Sequence, residues 1–234
     1  MFQMPQATVR TRNPNLLLSV LNAWSLLHST CEASDPCVNV NNNVYLCTVI
    51  PHASLYPSNV KHLLFKVGSG IGPINSTMFN SSSLSSVTNL TIVDSDVTSI
   101  EQGAFNSFLS VAVLILDNNK LSTISASWFT SPARLVKLSL VRNRICTIDV
   151  TTLSNFTNLA ELDLSQNMIR TIADHSFRNN LKLSFLNLAN NNLTLLRIQT
   201  FVDFHPKRLG LQGNPWCCSC ELADFAIFLR GNLF

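Results

Sequence analysis

Charged residues are scarce in this chain of 234 residues. Asp, Glu, Lys and Arg together make up 12% of it, whereas hydrophobic residues make up 46%. With so little charge and so much apolar content, the chain is not disordered and holds enough apolar surface for one continuous core. The formal net charge at pH 7 is only +3. Bulk charge therefore provides no surface for polyanions, and we do not expect nucleic acid as a partner.

Motifs of catalysis and metal binding are missing as well. The sequence has neither an HExxH motif nor a P-loop, and the GSGIG segment at Gly68–Gly72 lacks the spacing of a phosphate cradle. Glu161 and Asp163 are two residues apart, but a solvated strand face is a better interpretation than an acid/base pair. The five histidines share no metal-ligand spacing. We therefore expect no catalytic residue, no cofactor, no metal and no enzymatic activity.

A membrane-spanning run is also lacking. The apolar run at residues 16–27 is shorter than the roughly 20 residues that cross a bilayer. It follows Arg10 and Arg12 and fits the central region of a secretory signal, so we predict a signal peptide over residues 1–33 with cleavage after Ala33. The predicted localisation is secreted, or on the extracellular face of the plasma membrane, with no membrane span in this chain.

What the sequence does contain is a 24-residue repeat. It begins five times, at Val87, Val111, Leu135, Leu159 and Leu183. Counted from each start, apolar residues occupy places 1, 4, 6 and 11, an aliphatic residue place 14 and a large apolar residue place 19; place 9 is Asn except for Ser95 in the first repeat. A fixed period of this kind is typical of a solenoid, because one repeat cannot bury its own apolar face and stacks on its neighbours.

Each repeat predicts one short strand. Apolar places 4 and 6 alternate with polar places, which is the pattern of a half-buried strand. Leu162 and Leu164 are predicted to point inward, whereas Glu161 and Asp163 point outward. Successive strands would form a parallel ladder with a spacing of about 4.8 Å, and one face of that ladder stays open to solvent.

Two further columns recur with the same step. Asn supplies both a donor and an acceptor for the backbone of the turn after each strand. We therefore expect a hydrogen-bonded ladder of Asn119, Asn143, Asn167, Asn191 and Asn214. A packed spine on the convex side is expected from Phe105, Phe129, Leu153, Phe177 and Phe201.

These features resemble the leucine-rich repeat, whose pattern LxxLxLxxNxL is present here as LAELDLSQNMI and LSFLNLANNNL. The resemblance covers about residues 61–216. It implies an α/β fold, a leucine-rich-repeat solenoid that forms a curved right-handed superhelix. A parallel sheet would line the concave face, and short helical or irregular segments the convex face.

The first coil fits this pattern less well. It matches at Leu64, Ile71, Ile74 and Phe79. Lys66, however, stands at a place that should be apolar. Because the step from Phe79 to Phe105 is longer than the steps between later residues of that column, this coil is expected to be longer or distorted.

Both ends resemble the cysteine-containing caps of extracellular leucine-rich-repeat proteins. The carboxy-terminal motif NPWxCxC is matched by Asn214, Pro215, Trp216, Cys218 and Cys220. In that family its two cysteines pair with later ones, which this chain lacks. We therefore expect a fragment or a truncated gene model, with an incomplete cap over residues 206–234 and missing partners for Cys218 and Cys220. At the other end, residues 34–60 resemble a divergent amino-terminal cap, and about six repeats would fill residues 61–205.

The seven cysteines are an odd number for an oxidising compartment. Loss of Cys31 with the signal peptide leaves Cys37 and Cys47 as the upstream pair, for which we expect a disulfide. We interpret Cys146 as a small thiol packed after a strand, and the pairing of Cys146 and Cys217 stays open. Five Asn-x-Ser/Thr sequons predict glycosylation at Asn75, Asn80, Asn89, Asn155 and Asn192.

The predicted function is recognition of an extracellular protein ligand on the open face of the ladder, where places 2, 3, 5, 7 and 8 vary over a fixed skeleton. The predicted ligand-binding residues are Val113, Ile115, Val136, Val141, Arg142, Glu161, Asp163 and Phe185. An alternative interpretation is that the β-branched residues merely favour a strand. Lys137 and Glu161 fit an ordinary exposed ion pair. The oligomeric state is left open.

Two other classes of protein fit the same sequence. The chain could be the amino-terminal part of a larger transmembrane receptor, adhesion protein or matrix enzyme of the Toll-like, guidance or peroxidase-linked kind. A cytoplasmic repeat scaffold is the third possibility, although it leaves the cysteine caps unexplained.

Overall fold

The computed structural model describes residues 36–41, 43–56, 59–68, 70–201, 206–217, 225–227 and 230. The predicted signal peptide and the cap cysteines Cys218 and Cys220 lie outside these residues. We number the coils by the residue at place 1. Coils 1 to 7 begin at Val60, Val87, Val111, Leu135, Leu159, Leu183 and Pro206.

One main sheet passes through every coil. The strands, in chain order, are β1 (Cys37–Asn41), β2 (Val44–Cys47), β3 (His62–Phe65), β4 (Pro73–Ile74), β5 (Asn89–Ile92), β6 (Ser99–Ile100), β7 (Val113–Ile115), β8 (Lys137–Ser139), β9 (Thr147–Ile148), β10 (Glu161–Asp163), β11 (Thr171–Ile172), β12 (Phe185–Asn187) and β13 (Arg208–Gly210). The main sheet has the order β1-β2-β3-β5-β7-β8-β10-β12-β13, and every pair after the β1–β2 hairpin is parallel. β4 pairs with β6, and β9 with β11, in two small parallel sheets.

Leucines of successive strands lie side by side in the core. Leu162 of β10 is in register with Leu138 of β8 on one side and with Leu186 of β12 on the other. The same buried column continues through Leu114, Leu90 and Leu63. Because each coil offers its neighbour the same apolar face, the core is continuous from coil to coil. The predicted solenoid is confirmed.

A ladder of asparagines holds the turn after each strand. Asn143 Nδ2 donates to the carbonyl of Leu140 in its own coil, at 3.1 Å, and to that of Leu116 in the preceding coil, at 2.9 Å. Its Oδ1 accepts the backbone N–H of Leu121, also in the preceding coil, at 3.0 Å. The same set of bonds recurs at Asn119, Asn167, Asn191 and Asn214. The side chain at place 9 thus satisfies buried backbone groups of two coils at once.

Turns and short 3-10 helices close each coil away from the main sheet. The 3-10 helices are Ala53–Leu55, Ser82–Ser86, Ala126–Trp128, Pro132–Arg134 and Ile198–Thr200. Beneath them the apolar residues at place 19 are buried. The ring centroids of Phe105 and Phe129 are 5.2 Å apart, and those of Phe177 and Phe201 are 5.9 Å apart. Leu153 occupies the same place between these two ring pairs and is fully buried in the same apolar core.

The first coil departs from the sequence prediction by one residue. The structure pairs Leu63 with Leu90 and Phe65 with Ile92, so Leu63 and Phe65 point inward, not Leu64 and Lys66. The prediction failed because this coil, which runs from Val60 to Ser86, is longer than the repeats after it. Counting its places with the period of the later repeats therefore shifts the register by one residue. Lys66 points outward and forms an ion pair of 2.9 Å with Asp94.

Ser95 keeps part of the ladder in coil 2, which has no asparagine at place 9. Its Oγ accepts the N–H of Val67 in the preceding coil at 3.0 Å and donates to the carbonyl of Val93 at 2.7 Å. The shorter side chain therefore still joins two coils, although with fewer bonds than Asn makes.

The amino-terminal edge of the main sheet is a disulfide-linked hairpin. Cys37 of β1 and Cys47 of β2 are directly paired across the antiparallel strands and joined by a disulfide, in line with the expected amino-terminal cap. At the other end, Phe225 of the helical segment 225–227 is buried, with its ring centroid 5.4 Å from that of Phe201. The aromatic column therefore extends past the last described repeat turn.

Replacing Asn143 by Ala should strongly destabilise the fold. The change leaves the buried N–H of Leu121 without a partner, which costs about 1–3 kcal/mol. It also removes one of the two asparagine hydrogen bonds that the carbonyls of Leu116 and Leu140 each accept, at about 0.5–1.5 kcal/mol per bond. On that scale we expect the free energy of unfolding in urea to fall by about 3 kcal/mol or more. Asn106→Ala is the matched control, because Asn106 is exposed. Equal losses for both variants would contradict the role of the ladder.

Candidate functional site

The candidate site is the outer face of the main sheet. Its central columns are place 3 (Asn89, Val113, Lys137, Glu161, Phe185, Arg208), place 5 (Thr91, Ile115, Ser139, Asp163, Asn187, Gly210) and place 7 (Val93, Asp117, Val141, Ser165, Ala189, Gln212). The inward leucines keep neighbouring columns in fixed register. The face is therefore a rigid surface whose side chains differ from coil to coil.

The predicted apolar patch spans coils 3 and 4. Val113 and Ile115 are half-buried on β7, and Val141 is half-buried just after β8. Val136, just before β8, is 42% exposed. Val113 is in register with Lys137, and Ile115 with Ser139, so the apolar side chains border polar ones on the next strand.

A polar network crosses the middle of the face. Asp117 Oδ1 accepts a hydrogen bond from Ser139 Oγ at 2.7 Å and another from the backbone N–H of Val141 at 2.9 Å. Asp163 Oδ1 accepts from Ser165 Oγ at 2.6 Å, while its Oδ2 accepts from Asn187 Nδ2 at 3.1 Å. Both carboxylates thus link their own coil to the next one, and Asp163 also bonds to Ser165 of its own coil.

The environment of Asp117 disfavours its charge. Burial raises the pKa of the Asp117 carboxyl above its usual range. The hydrogen bonds from Ser139 and Val141 and the charge of Lys137 act in the opposite direction, whereas the negative charge of Asp163 adds to the increase. The fold thus holds the Asp117 carboxylate where burial destabilises its negative charge.

Three further predicted residues have neighbours on the same face. Glu161 forms an ion pair of 2.9 Å with Lys137 of the adjacent coil. Arg142 is exposed, and its Nε donates to Oε1 of Gln166 at 2.6 Å. Phe185 lies beneath Arg208, whose guanidinium carbon is 4.8 Å from the ring centroid.

Sequence reasoning misjudged three outward places. Ser139, Ser165 and Ala189 are buried although places 5 and 7 were expected to be exposed. The two serines are covered because their hydroxyls bond to Asp117 and Asp163. The recurrence of Asp, Ser and Asn at places 5 and 7 of successive coils was the available signal for this network.

The cysteine interpretation needs one correction. Cys146 is an exposed free thiol, not a packed one, because place 12 lies beyond the buried residue at place 11 and turns outward. Its Sγ lies 3.4 Å from the carbonyl of Arg144. Cys217 is also exposed and free.

The predicted glycosylation sites lie on several surfaces. Asn80, Asn155 and Asn192 are exposed, and Asn89 is half-buried on the outer face at β5. Asn75 Oδ1 accepts from Thr77 Oγ1 at 2.7 Å. Sugars at these residues stay a prediction.

Among the described residues, no group of three or more His, Cys, Asp or Glu side chains is placed to hold a metal ion. In the same part of the chain, none of the helices has the length and apolarity needed to cross a membrane.

Comparison with known families assigns the fold. The profile of the leucine rich repeat family matches residues 85–145, 133–193 and 157–215, which together exceed half of the chain. The chain therefore belongs to the leucine rich repeat family. No curated protein sequence matches it significantly.

Two solved structures show similar architecture. A chain of the Drosophila Toll–Spatzle complex aligns with a TM-score of 0.57 and 24% identity, over 68% of this chain and 23% of that one. Human 5T4, also described as Wnt-activated inhibitory factor 1 and trophoblast glycoprotein, aligns with a TM-score of 0.62 and 22% identity, over 86% of this chain and 88% of that one. At such identities the likeness shows the fold alone. This chain spans less than a quarter of its counterpart in the Toll–Spatzle complex.

Replacing Asp117 by Asn should stabilise the protein at neutral pH. The pKa of Asp117 is higher in the folded state than in the unfolded state. The contribution of its carboxyl group to stability is therefore fully present below the unfolded-state pKa and is lost as the pH rises through the folded-state pKa. The Asp117→Asn variant keeps an oxygen acceptor for Ser139 and Val141 without a charge to bury. Its gain in unfolding free energy over wild type should therefore be larger at pH 7 than at pH 4. Asp96→Asn, at an exposed aspartate, should show no such gain, and a pH-independent difference for Asp117→Asn would contradict this account.

Proposed function

We propose that the chain is a secreted or cell-surface module that binds a protein ligand on the concave face of the solenoid and is not catalytic. One observation carries the proposal: the main sheet is continuous, its inward leucines are fixed, and only its outward columns vary from coil to coil. A surface that is already rigid loses little entropy on binding, which favours recognition. A standard interface of about 800 Å² per partner fits a face of this extent.

The contact surface we propose runs over coils 3 to 6. It comprises Val113, Ile115, Val136, Val141, Arg142, Glu161, Asp163 and Phe185. Phe185 and Arg142 are the candidate anchors, since aromatic side chains and arginine are enriched at hot spots. Asp163 and Glu161 are held by Asn187 and Lys137, so they act mainly to set the polar pattern of the face. A sugar on Asn89 would cover the face near coil 2 and direct the ligand to later coils.

The disulfide of the amino-terminal hairpin supports the extracellular assignment. The Cys37–Cys47 disulfide is the kind of bond that persists outside the cytoplasm. The names of the two similar structures, a Toll–Spatzle complex and a trophoblast glycoprotein, also accord with an extracellular location. A cytoplasmic scaffold would leave this disulfide unexplained.

A larger parent protein is the second candidate, because the matched chain of the Toll–Spatzle complex is much longer than this one. Sequencing of the transcript past Phe234 separates the possibilities. Two cysteines followed by a stop codon indicate a secreted binder, and an apolar run of about 20 residues after them indicates a membrane receptor. An immunoglobulin-like or peroxidase-like continuation indicates a matrix protein or enzyme.

Ile115→Asp and Phe185→Asp should each weaken ligand binding at least tenfold, which is about 1.4 kcal/mol. Each change places a charge on the proposed contact surface, Ile115→Asp in coil 3 at one end and Phe185→Asp in coil 6 at the other. The measurement is binding of the purified chain to an array of purified extracellular protein domains, followed by titration of the domains that it retains. Leu109→Asp is the control, because Leu109 is 54% exposed and lies in the turn before β7, away from places 3, 5 and 7. Equal binding by wild type and both face variants would contradict the proposal.

A further inference from the structure

Exposed arginines follow one side of the solenoid, from the turn after the main sheet in coil 4 to the start of the 3-10 helix in coil 6. Arg144, Arg170 and Arg197 belong to coils 4, 5 and 6, one per coil, and all three are exposed. We call these three residues the arginine edge. Backbone hydrogen bonds stack the coils that carry it: the N–H of Arg170 donates at 2.9 Å to the carbonyl of Cys146, which lies two residues after Arg144 in the preceding coil.

Most of the charge on this edge is not neutralised. Arg144 and Arg170 form no ion pair within the described part of the chain, and Arg197 has only a long contact of 3.7 Å with Asp174. Arg142 is also exposed and donates to a neutral amide, that of Gln166. The small net charge of the whole chain therefore conceals a local concentration of guanidinium groups.

A surface depression lies within the arginine edge. It has a volume of about 440 Å³, and Arg170 and Arg197 contribute to its walls. The hydroxyl-bearing residues Thr171 and Thr194 also line it, as does Asp174. The depression thus combines two guanidinium groups and hydroxyl groups that donate or accept hydrogen bonds with one carboxylate, that of Asp174, 3.7 Å from Arg197.

We propose that the arginine edge binds a sulfated polysaccharide of the cell surface or matrix. The planar guanidinium offers paired donors that match the oxygens of a sulfate group. Because they occupy places 10, 12 and 15 of consecutive coils, the three arginines follow a diagonal line along which a linear polymer extends. This site is separate from the concave face and does not depend on a protein ligand there.

A nucleic acid fits the same edge less well. Proteins that hold single strands stack the bases on aromatic side chains. No aromatic residue is among the exposed large apolar residues of the described chain. The disulfide also indicates an oxidising compartment, where sulfated polysaccharides are the abundant linear polyanions.

Heparin affinity chromatography of the full chain tests this site. N-linked sugars are removed enzymatically first, because the sequon at Asn192 lies close to Thr194. We expect wild type to be retained at 0.15 M NaCl and the double variant Arg144→Glu/Arg170→Glu to elute without retention. The affinity for heparin in solution should fall at least tenfold. The Arg144→Lys/Arg170→Lys variant keeps the charge but not the paired donors. Its affinity for heparin should lie between those of wild type and the glutamate variant.

The matched control reverses two charges elsewhere. Arg134→Glu/Lys182→Glu makes the same change in net charge at residues in the turns before the strands, and it should bind heparin like wild type. Equal losses for both glutamate variants would show a bulk-charge effect and overturn the site. Failure of wild type to be retained, or equal displacement by a single-stranded oligonucleotide of matched charge, would overturn it as well. The intermediate lysine variant keeps the test valid if a glutamate variant does not fold.

Discussion

The structure depends on one constraint: the turn that follows each strand is buried, and its backbone groups need partners. Asn at place 9 meets this need with a side chain that both donates and accepts. Asn143, for example, bonds to backbone groups of its own coil and of the coil before it. The same side chain that satisfies the turn therefore also sets the distance and register between coils, and the leucine core follows from that register.

A fixed skeleton leaves the outward positions free to differ. The face of the main sheet carries an apolar region around Val113 and Ile115, a hydrogen-bonded network around Asp117 and Asp163, and the stacked pair Phe185 and Arg208. The arginine edge carries three exposed guanidinium groups, with one carboxylate, that of Asp174, beside them. Two chemically distinct surfaces thus result from one repeated backbone, because the skeleton needs only places 1, 4, 6, 9, 11, 14 and 19.

Features that follow the 24-residue period could be predicted from the sequence. The register of coil 1, where the period changes, could not. Leu138, Leu162 and Leu186 align as predicted because each lies at place 4 of a 24-residue repeat. Coil 1 was misread by one position because it is longer than the later coils and breaks that count. The burial of Ser139 could not be predicted from its own coil, since it depends on Asp117 in the coil before. The exposure of Cys146 likewise depends on how the turn directs its side chain.

Amide hydrogen exchange tests the central claim most directly. The N–H groups of Leu121, Ile145 and Ile169 lie in the turns, outside the strands, and each donates to an asparagine Oδ1 of the next coil. The account predicts that these three amides exchange as slowly as those of the main sheet, and far more slowly than the amide of exposed Thr123 in the same turn as Leu121. Exchange at the rate of Thr123 would contradict the view that the asparagine ladder holds the coils together.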